Sequence, residues 1–483
     1  MLDCLLINPS ALSQIYQNLE DLAAIEPPIW AGLLANGLRA KGKRVAIWDM
    51  EAEPDAEGTE HTNLIAIIVY GQQPSASTQN MHAASELLRA LKKMNPDGKI
   101  ILIGGHVSAL PLKTMQEELC DFVAEGEGLY TLLGLINNQP KENIPGLWYR
   151  DGNDILSSKV KSKPIPKDDL KVELPGVAWD LLPMSKYRAH NWHVFSDIEN
   201  RGNYASIYTS LGCSFACTFC CINAPFGGSS FRFWDTDFTL SQLDILAQNY
   251  NVRNLKIADE MFVLNKNHYM KIIDGLCDRK APFNIWAYSR IDTVKPETLN
   301  AMKQAGINWL ALGIESGSRF VRDGVQKGRF NDIDIKLIVQ KIKDAGINVI
   351  GNYIFGLPDD DYKSMNETLN LAIDLNCEMS NFYSAMAYPG SKLYTMALQN
   401  NWELPKTWLG YSQHSKECLP LKTNHLTSAQ VLAFRDQAFK LYFQGPEYLN
   451  LIDEKFGPKT LLHIKQMLRH DLKRDRVSKT EQT

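Results

Sequence analysis

The chain has 483 residues, about three domains of roughly 150 residues each, so two or three folding units are expected. Its 51 Lys and Arg against 55 Asp and Glu leave a formal net charge of -4, without the basic excess of a general nucleic-acid binder. Apolar residues at 45% and charged residues at 22% exclude disorder as the main state, and no apolar run reaches the roughly 18 residues of a membrane span.

Met1–Pro9 has no basic region and too short an apolar stretch for a signal peptide, so a cytoplasmic location is expected. Residues 1–140 alternate apolar runs with helical patterns. Strands are predicted over 4–7, 44–48, 64–70, 100–103 and 122–124, and helices over 28–41 and 75–94. Five strands with helical crossovers imply a doubly wound, flavodoxin-like α/β domain, with any ligand at the carboxyl ends of its strands. Residues 141–200 read as a hairpin around Asp151-Gly152, then an exposed Lys- and Pro-bearing linker. In that linker Trp179 reads as packing, while His190 and His193 suit packing and a polar substrate equally.

Residues 201–390 return to alternation, with strands predicted over 206–209, 254–258, 284–288, 309–314, 349–355 and 381–386. Ala305-Gly306-Ile307-Asn308 recurs as Ala345-Gly346-Ile347-Asn348, each time a helix stopping at Gly before a strand. Six such units make a partial (β/α)6 barrel, whose chemistry belongs at the C-terminal strand ends. Residues 391–483 form a small helical C-terminal region, with periodicity over 428–443 and 460–469 and a mixed-charge end, His470–Arg476, read as a solvated helix end.

Nine cysteines are no disulfide framework, and five stand alone as small buried residues. The other four, Cys213, Cys217, Cys220 and Cys221, follow the first barrel strand. Three thiolates in one short loop can ligate three irons of a [4Fe–4S] cluster and leave the fourth open. A zinc site is the alternative. It needs a fourth ligand, Cys221 or a distant His, because no second cysteine knuckle exists. Cys221 points away from Cys220 and reads as packing.

Cys213-x3-Cys217-x2-Cys220, with Phe219 before the last Cys, resembles the signature of the radical S-adenosylmethionine (SAM) superfamily. The resemblance spans about 201–390. It implies that Cys213, Cys217 and Cys220 hold a [4Fe–4S] cluster whose open iron binds SAM for reductive cleavage to a deoxyadenosyl radical. It also offers Asp259 or Glu260 to the SAM amino group, Arg290 to its carboxylate and Glu315 to its ribose. Here Asp259-Glu260 replaces the family's Gly-Gly-Glu, so the working carboxylate stays undecided between the two.

The N-terminal domain resembles the cobalamin-binding domains fused to many radical SAM enzymes, through its strand order and Gly104-Gly105-His106-Val107-Ser108. Paired glycines let backbone approach a bulky corrinoid, and Gly126-Glu127-Gly128 fits the same rim. Tyr70-Gly71-Gln72-Gln73-Pro74 stands where Asp-x-His-x-x-Gly would supply a lower ligand, so no His ligand to cobalt is expected. His82 and His106 read as structural.

These resemblances imply a cobalamin-dependent radical SAM methyltransferase, moving a methyl group from SAM through methylcobalamin to an unactivated carbon or phosphorus of a small-molecule, lipid or sugar precursor. A cyclase or rearrangement enzyme with the same cofactors, and a non-catalytic corrinoid-binding module, are the alternatives. A methylthiotransferase lacks support, because only Cys4 and Cys120 precede residue 200. Expected partners are the substrate and an electron donor such as flavodoxin or ferredoxin, with no nucleic acid and no membrane span. No acid or base residue for catalysis is assigned.

Overall fold

Short apolar runs bounded by turn residues become strands. The computed structural model describes residues 2–17, 19–55, 62–71, 73–327 and 335–475, and it gathers these strands into two large sheets and one ribbon. Gln72 and Arg476, part of two motifs above, lie outside the described residues.

The first sheet holds β1 (Cys4–Asn8), β2 (Val45–Asp49), β3 (Ile65–Val69), β4 (Ile100–Gly104), β5 (Phe122–Ala124), β6 (Leu147–Asp151) and β7 (Asp154–Ser157). Its order is β2-β1-β3-β4-β5-β6-β7, with the first five strands parallel. That is the flavodoxin-like order expected from the alternation. Strand side chains alternate between faces, so Leu6, Ala66 and Ile68 join the helix Ile29–Ala40 in one core. Leu5, Ile67 and Val69 meet the helix Met81–Met94 in another.

Four details differ from the pattern reading. Residues 470–475 are no solvated helix end: they are not helical, and Arg474 is buried and paired with Asp436 at 2.8 Å. The helix expected over 75–94 is divided into Ala76–Gln79 and Met81–Met94 at Asn80, whose side-chain amide donates to the Tyr70 carbonyl at 3.2 Å. The hairpin β6–β7 is no free-standing appendage. It pairs antiparallel with β5 (Phe122 opposite Tyr149) and extends the sheet. The stretch after it is not a loose linker either: Ile165, Leu170 and Leu174 are buried, as is Trp179.

The second sheet holds β8 (Tyr204–Ile207), β11 (Asn254–Ile257), β12 (Asn284–Arg290), β13 (Ile307–Glu315), β14 (Asn348–Phe355) and β15 (Met379–Ser384). All six are parallel and in chain order, the expected partial barrel. β9 (Ser210–Leu211) and β10 (Arg232–Phe233) form a separate antiparallel ribbon. Local chemistry sets the crossovers. Asp235 caps the helix Thr236–Asn249 by accepting from the Phe238 amide, and Asp361 with Ser364 forms a capping box for Tyr362–Leu375. Gly306 and Gly346, the glycines of the sequence echo, take φ of +89° and +74° between helix and strand, where a Cβ is disfavoured.

The open side of the partial barrel is covered by the C-terminal region. Gln413 bonds the amide, hydroxyl and carbonyl of Ser384, and Arg435 of the helix Ser428–Phe443 donates to the Phe382 carbonyl at 2.7 Å. No helix among the described residues is long and apolar enough to cross a membrane.

Candidate active site

The chain leaves the barrel after β8, runs through β9 into the cysteine loop, and returns as β10. Gly212 opens the loop with φ of +80°, where a Cβ would stand 2.6 Å from the Ser230 carbonyl. The loop is pinned from outside: the Thr218 amide donates to Val325 O at 3.0 Å and the Leu393 amide to Thr218 O at 2.9 Å. Cys213 and Cys221 are buried, Cys217 and Cys220 half-buried. Among the described residues no three His, Cys, Asp or Glu side chains converge on one metal ion. A cubane takes its thiolates on separate irons, as three cysteines of one short loop can supply. A guanidinium N–H of Arg290 points at Cys217 Sγ from 3.6 Å, an environment that suits an anionic cluster. The donor set therefore fits an iron–sulfur cluster.

The two carboxylates after β11 have different surroundings. Asp259 accepts from the Thr209 amide, the Thr209 hydroxyl and the Ser210 hydroxyl, all at 2.6 Å, and so anchors the entry to the cysteine loop. Burial pushes its carboxyl up to about 6, against those hydrogen bonds. Glu260 lines a narrow cleft with Gly105, Tyr70 and Cys221, and no ion pair reaches it among the described residues. Burial, with Asp259 adding and Lys256 opposing, pushes its carboxyl up to about 8.

The next two strand exits carry charges that are already paired. Arg290 makes a bidentate pair with Asp292 at 2.9 and 2.8 Å, donates to Lys327 O at 2.8 Å and stacks over Phe215. Glu315 takes φ of +66° at a register shift between β13 and β14, and meets Lys327 Nζ at 2.6 Å. A Cβ on Gly313 would stand 2.7 Å from both Glu315 Oε1 and Lys327 Nζ, so the pair requires that glycine. A left-handed non-glycine residue at a strand exit is strain of the kind that collects at functional sites.

At the rim of the first sheet, Gly105 lines the same cleft as Glu260. Gly104 and Gly126 line no described cavity and have packing reasons instead. A Cβ on Gly104 would collide with the Val69 carbonyl, and one on Gly126, at φ of +104°, with the Ser162 hydroxyl. His106 is buried, with Nδ1 3.1 Å from the Thr78 hydroxyl, and burial lowers it to about 3. Among the described residues the buried hydroxyl of Tyr70 has no hydrogen-bond partner. An unpartnered hydroxyl and a glycine facing a cleft leave room and a polar contact for a bulky ligand, so this rim fits a corrinoid.

Beside the cleft lies a cavity of about 940 Å³, at the upper end of small-molecule sites. Its lining comes from both sheets and the C-terminal region: Trp30 and Tyr70 from the first, Tyr208, Lys256, Trp286 and Asn352 from the barrel, and Arg435 beyond it. Lys256 is buried and paired with Glu26 at 3.2 Å, over the ring of Trp286 at 4.8 Å. Sequence reading missed this pair, yet a lysine inside Asn254-Leu255-Lys256-Ile257, a strand buried on both faces, was a usable signal. His190 also lines the cavity. His193 instead bonds the Asn284 carbonyl through Nε2 at 3.0 Å, at the barrel's opposite end.

Two doubly covered α/β sheets, with a cysteine loop and a glycine rim across one cleft, define a two-cofactor α/β enzyme. Residues 207–372 match the radical SAM superfamily and residues 18–136 the B12 binding domain. The chain is 28% identical over 382 residues to an uncharacterized methyltransferase of Pyrococcus horikoshii, covering 78% of this chain and 79% of the relative. It is 25% identical to the anaerobic magnesium-protoporphyrin IX monomethyl ester cyclase of Rubrivivax gelatinosus, over 77% of this chain and 67% of that one. In fold it resembles the radical SAM methyltransferase TsrM of Kitasatospora setae, with a TM-score of 0.65 and 15% identity, over 95% of this chain and 88% of that one. The chain belongs to the radical SAM enzymes that carry a B12-binding domain, and its cofactors are a [4Fe–4S] cluster, SAM and cobalamin.

Proposed function

We propose that this enzyme transfers a methyl group from SAM to an unactivated carbon or phosphorus of a small-molecule, lipid or sugar precursor. When bound, the cluster supplies the electron that splits SAM, and cobalamin carries the methyl group. Cys213, Cys217 and Cys220 hold the cluster. Glu260, which faces the cleft, receives the SAM ammonium, whereas Asp259 holds the loop that presents it. Arg290 and Glu315 border the SAM site as pre-paired groups, Arg290 toward the carboxylate and Glu315 toward the ribose. Gly105 admits the corrinoid at the opposite wall, with Gly104 and Gly126 shaping the rim behind it. The substrate enters the large cavity, where Lys256, Trp286 and Asn352 offer polar and aromatic contacts.

The observation that carries this reading is the shared cleft: Glu260 after the second barrel strand, Cys221 of the cysteine loop and Gly105 of the first sheet line one space. The likeness to a methyltransferase over most of both chains supports methyl transfer. The likeness to a cyclase keeps ring formation as the second reading. Anaerobically purified protein, assayed for iron, cobalt and visible absorption, tests the cofactor set. Product mass then separates the two readings. Methylation adds a CH2 and consumes two SAM per turnover; cyclisation leaves no added carbon. A soluble flavodoxin or ferredoxin is the proposed electron source, and an unchanged SAM pool with either one and with dithionite would refute the enzyme reading.

A further inference from the structure

Glu127, between the two glycines of the β5 exit, does not face either cavity. It lies against β10, the return strand of the cysteine loop. Glu127 Oε1 accepts from Arg232 Nη2 at 2.7 Å, Oε2 accepts from the Ile165 amide at 2.6 Å, and Arg232 Nη1 donates to the Ile165 carbonyl at 2.6 Å. Side-chain exposures of 9% for Arg232 and 4% for Glu127 place the pair away from water. The knot extends on both sides. Trp30 Nε1 donates to Glu127 O at 3.2 Å, and Arg232 covers the ring of Phe226, which also meets Trp30.

We propose that the Glu127–Arg232 pair is a positioning device that fixes the cobalamin site relative to the cluster and SAM; this rests on the function proposed above. Arg232 pairs across the ribbon with Leu211, two residues before Cys213, so any displacement of Arg232 moves the root of the cysteine loop. Glu127 is held just as tightly on its own side. Gly128, at φ of +91°, lies over Ile103 of β4, the strand whose exit presents Gly105 to the cleft. Three ion pairs among the described residues have both side chains below 10% exposure: Glu127–Arg232, Glu26–Lys256 and Glu315–Lys327. Only the first joins the cysteine-loop ribbon to the first sheet. A buried pair of this kind adds little net stability over an apolar replacement, because desolvation offsets the attraction. What it supplies here is a single geometry, and reactions between two bound groups lose rate steeply with small displacements.

The test compares wild-type enzyme with Glu127→Gln and with the double replacement Glu127→Met/Arg232→Met, each loaded anaerobically with iron, sulfide and cobalamin. Iron and cobalt content and thermal melting establish loading and folding. Two readouts then report position: the ratio of S-adenosylhomocysteine to 5′-deoxyadenosine formed from SAM, and the magnetic interaction between reduced cluster and cobalt(II) in electron paramagnetic resonance. The expected result is wild-type loading with the product ratio lowered about tenfold and the magnetic interaction altered. Where the double variant fails to load, Glu127→Gln, which preserves side-chain shape, carries the test. Variants that load fully and leave both readouts unchanged overturn the proposal. Wild-type protein lacking cobalt or iron overturns the underlying function instead.

Discussion

Along the first sheet the exits toward the cleft carry Gly71 and Gly105, with Gln73 and Ser77 beside them, and no charged side chain. Along the barrel one exit brings Glu260 to the same cleft, and Asp259, Arg290 and Glu315 stand at that exit and the next two. Under the function proposed above, the first rim would admit a ligand by shape, because a neutral, small-residue wall leaves volume without repelling charge. The second works by charge, but most of that charge is neutralised before any ligand arrives. Asp292 faces Arg290, Lys327 faces Glu315, and three protein donors surround Asp259. Pre-paired charges cost less to bury and hold a fixed direction. Glu260 stands apart, and the difference between it and its neighbour is the sharpest contrast in the site.

The contrast between the rims breaks most severely at the cysteine loop. Cys217→Ala is expected to abolish SAM cleavage and iron loading while cobalamin remains bound, as metal analysis and product chromatography would show. Retained cleavage would refute the cluster assignment. On the opposite rim, Gly104→Ala forces a methyl group into the Val69 carbonyl and should destabilise the protein by about 1–3 kcal/mol in chemical denaturation. Gly105→Ala, whose Cβ would stand 3.6 Å from Ser77, should stay within about 0.5 kcal/mol of wild type. Gly105→Leu should instead lose cobalamin affinity by about tenfold or more at unchanged melting, since a side chain there fills the cleft.

Smaller effects separate the two adjacent carboxylates. Asp259→Leu strands two hydroxyls and one amide and is expected to cost about 1–3 kcal/mol for each buried donor that finds no water. In the ligand-free protein, Glu260→Gln should change stability only with pH. Burial raises the folded Glu260 carboxyl to about 8, above about 4.3 in an unfolded chain. The stability contributed by that group is therefore full below the unfolded value and is lost as pH rises through about 8. Melting temperatures of ligand-free wild type and Glu260→Gln should coincide near pH 4, with the variant the more stable at pH 9. Parallel curves would show that Glu260 is not held in a desolvated cleft.

Much of the architecture was legible before any coordinates. The runs around Ile65–Val69 and Ile100–Ile103 are buried on both faces, so continuous apolarity alone marks them as parallel strands. The cysteine loop was equally plain, since three thiols at that spacing after a strand have few structural uses. Side-chain partners were a different matter. The resemblance offers Arg290 and Glu315 to SAM, whereas each meets a protein charge that pattern reading did not connect to it. Glu26 lies 230 positions from Lys256, and Glu127 lies 105 from Arg232. No local periodicity encodes contacts at such separations. The hairpin β6–β7 was recognised by its Asp-Gly turn, but its docking on β5 depended on an edge strand formed elsewhere in the chain.

Taken by itself, the amino-acid order decided which segments become strands and helices, which loop bears the thiols, and where glycine was needed. Those are consequences of backbone conformation and apolar burial acting over a few residues. Tertiary packing alone decided which carboxylate faces the cleft and which charges neutralise one another. The reason is that electrostatic partnership depends on distance through space and on exclusion of water, and both come into being only when the two sheets close on each other.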